Sequence, residues 1–398
     1  METTFHIAVR FLLAKKRAML MSLSGIVFGV GFFIITQAQT AGFEQFFTHT
    51  ALATDGSLHV EDRLQNSQDN LRKYIPGVQF PGQITNALKQ FENIAAISPV
   101  LRGNVDLDSN SRIQPAQIFG INLEDFLAVS DLGHQIIRGS LDSFRTDPKG
   151  IIIGAMLAAR ANLVVGAPVV LNQAGRSARY RVEAIFESGV EHVDKERVIV
   201  HLPEARAILA QPFGVTYLQA NLRDNTRAAA EAPHMTEVLG QAVVPWQERE
   251  KIWLDVFRAL RASSALTVST IILISGLGMF NTLAMIVLEK TKEIAILRSM
   301  GYTRQDIAQI FLLQGALVLG VGSALGCALG AGGTWLVANI PLRIRGVFST
   351  DHFVVAWSPW HYFWALIAAT VVVFIASWIP ARRAARLEPG DIIRGAAA

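Results

Sequence analysis

The chain is 398 residues long, 51% hydrophobic and only 17% charged, with a mean hydropathy of +0.34, a balance that excludes a wholly soluble protein but leaves room for a sizeable polar domain. Its net charge of +4 does not point to nucleic acid as a partner, because the lysines and arginines gather at the ends of apolar stretches, where they set membrane orientation. The single cysteine, Cys327, excludes an internal disulfide, so any domain outside the membrane must be held by its own core.

The predicted elements begin at residues 5–17, where Phe5, Val9, Leu12 and Leu13 fall at helical spacing ahead of Lys15, Lys16 and Arg17, as in a short amphipathic helix on a cytoplasmic surface. Four charge-free stretches then exceed the roughly 20 residues needed to cross a hydrocarbon core: 18–43, 262–288, 307–342 and 353–381. The first lacks a good small-x-small cleavage site near Thr40 and reads as an uncleaved anchor. Lys290, Lys292, Arg298 and Arg304 separate the second and third stretches, and Arg382, Arg383, Arg386 and Arg394 follow the fourth, whereas the link between the third and fourth has only Arg343 and Arg345. Since basic loops stay inside, both termini are expected in the cytoplasm and residues 44–261 on the far side of the membrane. The expected fold class is therefore a membrane α-helical protein of four transmembrane helices, one plus three, with a large exported α+β domain inserted between the first and second spans.

Within the exported region the runs 58–61, 94–100, 117–121, 167–171, 180–186, 197–201 and 217–221 read as strands, and 83–91, 154–161, 203–210 and 225–240 as helices. The middle, 101–147, is more polar and reads as loop, which suggests two lobes. Residues 246–261 carry Ile252, Trp253, Val256, Phe257 and Leu260 on one stripe and run into the second span with no breaker between them. A continuous helix over 246–300 is expected, about 80 Å long at about 1.5 Å per residue, standing clear of the bilayer as a stalk.

The stretch 289–306, EKTKEIAILRSMGYTRQD, is the only short, densely charged link in the C-terminal half. Gly301 suits the left-handed residue that ends a helix, Thr303 can cap the next, and Asp306 sits at capping-box spacing. Ile294, Leu297, Met300 and Tyr302 offer apolar contacts to something outside the bilayer, as a docking turn would. Elsewhere, Gly25 and Gly29 in the first span and Gly322, Gly326 and Gly330 in the third are spaced for close helix packing, the latter favouring neighbours in the same subunit. Trp357, Trp360, Tyr362 and Trp364 gather at the outer end of the fourth span.

Much chemistry is missing from the sequence. No GxxxxGK[ST] loop occurs, so the chain is expected to hydrolyse no ATP by that route, and HExxH, GxSxG and paired cysteines are also lacking. The histidines His49, His59, His134, His192, His201 and His234 are scattered, and no span carries an interior charge, which argues against a proton- or ion-coupled carrier. No catalytic residue and no metal site is expected. Energy for any work must come from a partner.

Taken together these stretches resemble the permease subunits of the MacB/FtsX/lipoprotein-releasing group of ABC transporters. EKTKEIAILRSMGYTRQDI at 289–307 is similar to that family's cytoplasmic signature and PARRAARLEPGDIIRG at 380–395 to its C-terminal one. AVRFLLAKKR at 8–17, GFE at 42–44 and RVEAIFESGVEHVD at 181–194 most resemble the LolC/LolE branch. The resemblance implies a bacterial inner-membrane complex of two permeases, identical or sister chains, with two copies of a separate ABC ATPase that binds ATP and Mg. No cofactor is implied in this chain. Glu289, Glu293, Ile294, Leu297, Arg298, Met300, Gly301 and Tyr302 would form the coupling helix in the ATPase groove. A lipoprotein substrate would leave the outer leaflet for a periplasmic lipoprotein carrier, with Phe32, Phe33, Phe43, Phe46, Leu266 and Ile271 as candidate contacts to acyl chains or membrane lipid. The resulting division is a cytoplasmic N-terminus (1–17), span one (18–43), a periplasmic domain with stalk helices (44–261), span two (262–288), the coupling helix (289–306), span three (307–342), a periplasmic loop (343–356), span four (357–381) and a cytoplasmic tail (382–398). Two other readings share the mechanics: a MacB-like exporter of periplasmic substrates, and an FtsX-like regulator of a cell-wall hydrolase.

Overall fold

A computed structural model describes residues 6–11, 16–62, 77–109, 112–341 and 352–386. The expected basic tail beyond Arg386, the cluster Lys15–Lys16, and most of the loop 343–356 lie outside the described residues or their described side chains. The chain divides into two compact units, a helical one (Met1–Glu44, Val256–Ile340 and His352–Ala398) and a β-rich one built mainly from Gln45–Asp255.

The helical unit is made from α1 (Lys16–Asp55), α2 (Lys251–Glu289), α3 (Thr291–Ser299), α4 (Arg304–Ala338) and α5 (Pro359–Ala385), with α1 and α2 running on into the β-rich unit. Four of these, α1, α2, α4 and α5, are long and apolar enough to cross a membrane. Small residues set how closely they approach. A Cβ added at Gly326 would stand 2.8 Å from Val30 Cβ, and one at Gly330 2.9 Å from Ile34 Cβ, so α4 lies directly against α1 along its glycine stripe. Gly25 and Gly29 of α1 turn the other way, to Ser275 and Ile272 of α2. The packing of both glycine sets is therefore within one subunit.

Gly42, in the GFE segment, is packed by the extended chain at Val354 and Val355, whose backbone lies within 2.6 Å of where its Cβ would be, while Ala356 N donates to Ala38 O at 2.9 Å. Only a glycine leaves room for that crossing. Residues 6–11 are helical, with Ala8 buried and Ile7 and Phe11 packed on the bundle core, so this segment is part of the bundle rather than a separate surface helix.

The single helix expected over 246–300 is three pieces. It is interrupted at Glu250 (φ −96°, ψ 17°) and Lys290 (φ −92°, ψ 12°), although i to i−4 bonds such as Leu254 N to Glu250 O continue through. At the second break the Thr291 hydroxyl donates to the carbonyls of Val287 (2.9 Å) and Leu288 (2.7 Å), a side-chain competition that bends helices. At the first, Arg249 is drawn to the end of α1.

The strands of the β-rich unit are β1 (Leu58–Glu61), β2 (Ile94–Ser109), β3 (Arg112–Ile121), β4 (Ile136–Gly139), β5 (Gly150–Gly154), β6 (Pro168–Gln173), β7 (Arg176–Phe186), β8 (Arg197–His201), β9 (Tyr217–Leu222) and β10 (Ala242–Pro245). They form one ten-stranded sheet in the order β10-β1-β9-β2-β3-β8-β5-β7-β4, with β6 pairing both β2 and β7. Because β6 joins both ends of the run β2-β3-β8-β5-β7, those strands close into a barrel, which removes their free edges. The two-residue period divides their side chains. Leu101, Val105, Ile118, Ile151, Ile153, Val198 and Val200 share one core with the helices Ala155–Ala161 and Leu202–Leu209. Their neighbours Val100, Phe119, Ile121, Ile152 and Ile199 face a second core under short helices, around Phe144 and Phe186. A third core lies between β1, β9 and β10 and the helices Pro81–Leu88 and Ala228–Leu239.

The middle region expected as loop is instead the long β2–β3 hairpin followed by Leu123–Val129, Leu132–Gln135, β4 and Leu141–Thr146. Asn104, Asp106 and Gln117 occupy outward positions of that hairpin, so polar residues interrupt its apolar ones and the stretch looks unstructured in sequence. Instead of two lobes parted there, one sheet runs through the unit.

Candidate functional site

The charged turn is built by three local signals in succession. α2 ends at Glu289 and α3 follows across the bend at Lys290. Gly301 then adopts φ +101°, a conformation strained for any residue with a side chain, and Thr303 starts α4 with a complete capping box: Asp306 N donates to Thr303 Oγ1 (3.2 Å) and Thr303 N to Asp306 Oδ2 (2.8 Å).

The turn is fixed from two sides. Arg298 Nη1 donates to Ala385 O at 3.1 Å, satisfying a carbonyl in the last turn of α5 with a cation at the negative end of the helix. Lys290 pairs with Glu293 and places its ammonium 5.5 Å from the centre of the Phe11 ring. The turn is thereby tied to both the N-terminal segment and the end of the last helix.

The eight residues expected to couple divide into two faces. Ile294 is 1% exposed and belongs to the bundle core, with Leu297 and Tyr302 packed partly against it. Ile294 is a support for the turn, not an outward contact. Glu289, Glu293, Met300 and Gly301 face out, and Arg298 is half-buried on its carbonyl. Ile296, which was not singled out, is 57% exposed, four residues before Met300 at 73%. The signal for it was available, since a stripe of Ile294 and Leu297 turned to the bundle leaves Ile296 and Met300 on the opposite side.

Of the candidate acyl contacts, Phe32 (48% exposed), Leu266 (71%) and Ile271 (36%) present open apolar surface. Phe33 is buried in the bundle core and offers none. Phe43 is half-buried edge-on against Phe353 at 5.3 Å, and Phe46 is half-buried within the β-rich unit. At the start of α5, Trp357, Trp360 and Trp364 are all more than half exposed, as interfacial anchors would be. An ion pair between Arg261 and Glu44 (3.2 Å) joins α2 to α1 within the helical unit.

A family model described as MacB-like periplasmic core domain matches residues 19–237, more than half of the chain, and one described as FtsX-like permease C-terminal matches residues 265–389. The lipoprotein-releasing system transmembrane protein LolC of Xylella fastidiosa (strain Temecula1) is 26% identical over 420 residues, covering 98% of both chains. The corresponding LolE of Haemophilus influenzae is 23% identical over 425 residues, covering 99% of both. The macrolide export ATP-binding/permease protein MacB of Psychrobacter cryohalolentis is 22% identical over 98% of this chain and 59% of its own length. Among solved structures, the periplasmic region of MacB from Actinobacillus actinomycetemcomitans aligns with 51% of this chain at 12% identity and a TM-score of 0.37. With four apolar helices, a β-rich domain between the first and second, and both family models matched in that order, the chain belongs to the MacB/FtsX/LolC–LolE family of permeases.

Proposed function

We propose that this chain is a permease subunit of an ATP-driven lipoprotein-releasing transporter in the bacterial inner membrane, with both termini cytoplasmic and residues 44–261 periplasmic. The observation that carries the reading is the similarity to LolC and LolE, which covers 98% to 99% of both chains. In this reading the turn 289–306 docks on a separate ATPase through Ile296, Met300 and the charged residues around them, supported from behind by Ile294 and Leu297. ATP and Mg are bound by that partner. A second permease, identical or sister, completes the assembly.

The substrate is a lipoprotein whose acyl chains already lie in the outer leaflet. Removing them from lipid costs about 0.8 kcal/mol per buried CH₂, so extraction needs both an energy source and an apolar shelter. Open apolar residues on α1 and α2, among them Phe32, Leu266 and Ile271, can supply the shelter, and a periplasmic carrier receives the anchor afterwards.

Purification of the chain in mild detergent, without nucleotide and then with ATP, tests the reading. A co-purifying ATPase with acylated proteins that leave on addition of ATP is the expected result. An ATPase accompanied by an adaptor and an outer-membrane duct, or by a cell-wall hydrolase, would replace lipoprotein release with one of the other two activities.

A further inference from the structure

The β-rich unit contains a cluster of charged side chains that the proposed function does not yet use. α1 ends at Asp55, and Gly56 follows with φ +63°, turning the chain out of the helix. The last carbonyls of a helix have no partners within it. Here side chains from outside the helix take them: Arg249, far along the chain, donates to Asp55 O (3.3 Å) and Gly56 O (3.0 Å), the nearby His59 Nε2 to Asp55 O (2.9 Å), and the distant Gln219 Nε2 to Thr54 O (3.3 Å). The Asp55 carboxylate accepts from Arg197 Nη2 at 2.9 Å, and the Arg197 guanidinium lies 4.2 Å from the centre of the Phe119 ring. With side-chain exposures of 8% for Arg197 and 22% for Asp55, this pair is largely shielded from water, where charge-assisted bonds count most. His59 stacks on Tyr217 at 4.3 Å, and burial, with the positive charge of Arg249 nearby, holds its imidazole below its ordinary pKa.

The positions of these residues in the chain make the cluster more than a helix cap. Arg249 closes the short helix Trp246–Arg249, immediately before α2. Trp246 N donates to Ser57 O at 2.9 Å and its indole Nε1 to Asn225 O at 3.1 Å. One turn further on, Phe47 of α1 and Trp253 of α2 meet with ring centres 5.5 Å apart. The end of α1 and the root of α2 are therefore joined to each other and also to three strands, through Arg197 on β8, His59 on β1 and Gln219 on β9.

We infer that Arg249, Arg197 and Asp55 form a clasp that positions the two helix ends as one body on the sheet, so that displacement of either helix reaches the β-rich unit as a single stroke. This rests on the proposed function for its substrate, but not for its mechanics. Position 249 requires arginine, since a planar fork reaches two carbonyls at once whereas a lysine presents one point charge.

The test uses the intact transporter, permease with its ATPase partner, in nanodiscs. Arg249→Ala is expected to raise amide exchange over 53–60 and 246–251 by about ten- to a hundredfold, the loss of two charge-assisted bonds. ATP hydrolysis should stay within about twofold of the parent, while acylated protein released per ATP falls by about fivefold or more, the scale of an ordinary coupling free energy. Arg249→Lys should fall between the two, and the isosteric Asp55→Asn carries the same test if Arg249→Ala does not fold. Unchanged release per ATP, or hydrolysis lost in step with release, overturns the clasp. If the parent hydrolyses ATP without releasing acylated protein, lipoprotein release fails as the function. The clasp is then decided by exchange alone, requiring an ATP-dependent change in the sheet of the parent that Arg249→Ala abolishes.

Discussion

The two units of this chain are held together by opposite means. In the β-rich unit whole strands disappear from solvent: every residue of β5 is buried, and four of the five in β8. In the helical unit only 28% to 44% of the most apolar window of each long helix is buried within the chain. The first unit completes its own core, as a domain in water must. The second is stitched along narrow glycine stripes and leaves most of its apolar surface for lipid or another chain, where hydrophobic burial between helices no longer drives association and close packing takes over. Buried side chains in the bundle should therefore be judged by fit, and exposed ones by what they could meet.

The difference is tested most severely at the charged turn, where the inner and outer faces of α3 belong to different tasks. Ile294→Asp puts a carboxylate into the bundle core, at a cost of about 4 kcal/mol or more, and should abolish recovery of folded permease in detergent. Met300→Asp and Ile296→Asp, on the exposed side, should leave the folded yield unchanged and reduce ATPase co-purification. If Ile294→Asp folds normally and only loses the ATPase, the division into supporting and docking faces is wrong.

Next in size is the glycine stripe. Gly330→Leu drives a side chain into Ile34, where even a Cβ would stand 2.9 Å away, and should cost about 3 kcal/mol by overpacking. Gly332→Leu, on the same helix with open space around it, should change the thermal midpoint in detergent by less than about 2 °C, as for a surface change. Equal loss in both would mean that close packing against α1 does not set the requirement for glycine at 330, since replacing glycine by leucine by itself favours a helix.

A smaller effect comes from the β-rich unit. Asp194 is fully buried, its Oδ1 accepting from Ser188 N (2.7 Å) and Ser188 Oγ (2.8 Å) while Oδ2 has no hydrogen-bond partner among the described residues, and burial pushes its pKa up to about 6. A carboxyl raised in the fold stabilises it fully below the unfolded pKa and loses that contribution as pH rises through the folded value. The unit should therefore lose about 1 to 3 kcal/mol from this residue between pH 4 and pH 7. Asp194→Asn, which does not titrate, should gain stability relative to the parent over that window, measured by hydrogen exchange around residues 187–194. A difference that shrinks with rising pH would reverse the assignment.

What could be read from the sequence follows the same division. The long helices were legible because an unbroken apolar run can do little else in a membrane, and β1 and β8 matched their expected limits because each is a short, fully apolar or alternating run. β4, β5 and β10 were missed because runs of four or five residues between glycines and prolines carry too little pattern. The barrel could not be read at all, since its closure depends on β6 meeting β2 from far along the chain. At the turn, residue types and the cap were legible, but which face looked outward was not. That depends on Arg298 reaching Ala385 and on Ile294 finding the bundle, both contacts made across long sequence distances.

The smallest effect is expected at the capping box, where the sequence signal and the geometry agree most closely. Thr303 and Asp306 satisfy backbone donors at the start of α4, and both side chains lie at the protein surface. Thr303→Ala should cost about 1 kcal/mol, because the unsatisfied donors can turn to water instead. Fraying of the first turn of α4 would nonetheless loosen the chain just after Gly301, where the turn reverses. Exchange at residues 303–307 should rise in Thr303→Ala while that of α5 stays unchanged, and Thr303→Ser should restore the parent's protection. Protection lost throughout α5 as well would mean that the turn and the bundle unfold as one unit. The turn would then have no independence of movement with which to answer an ATPase.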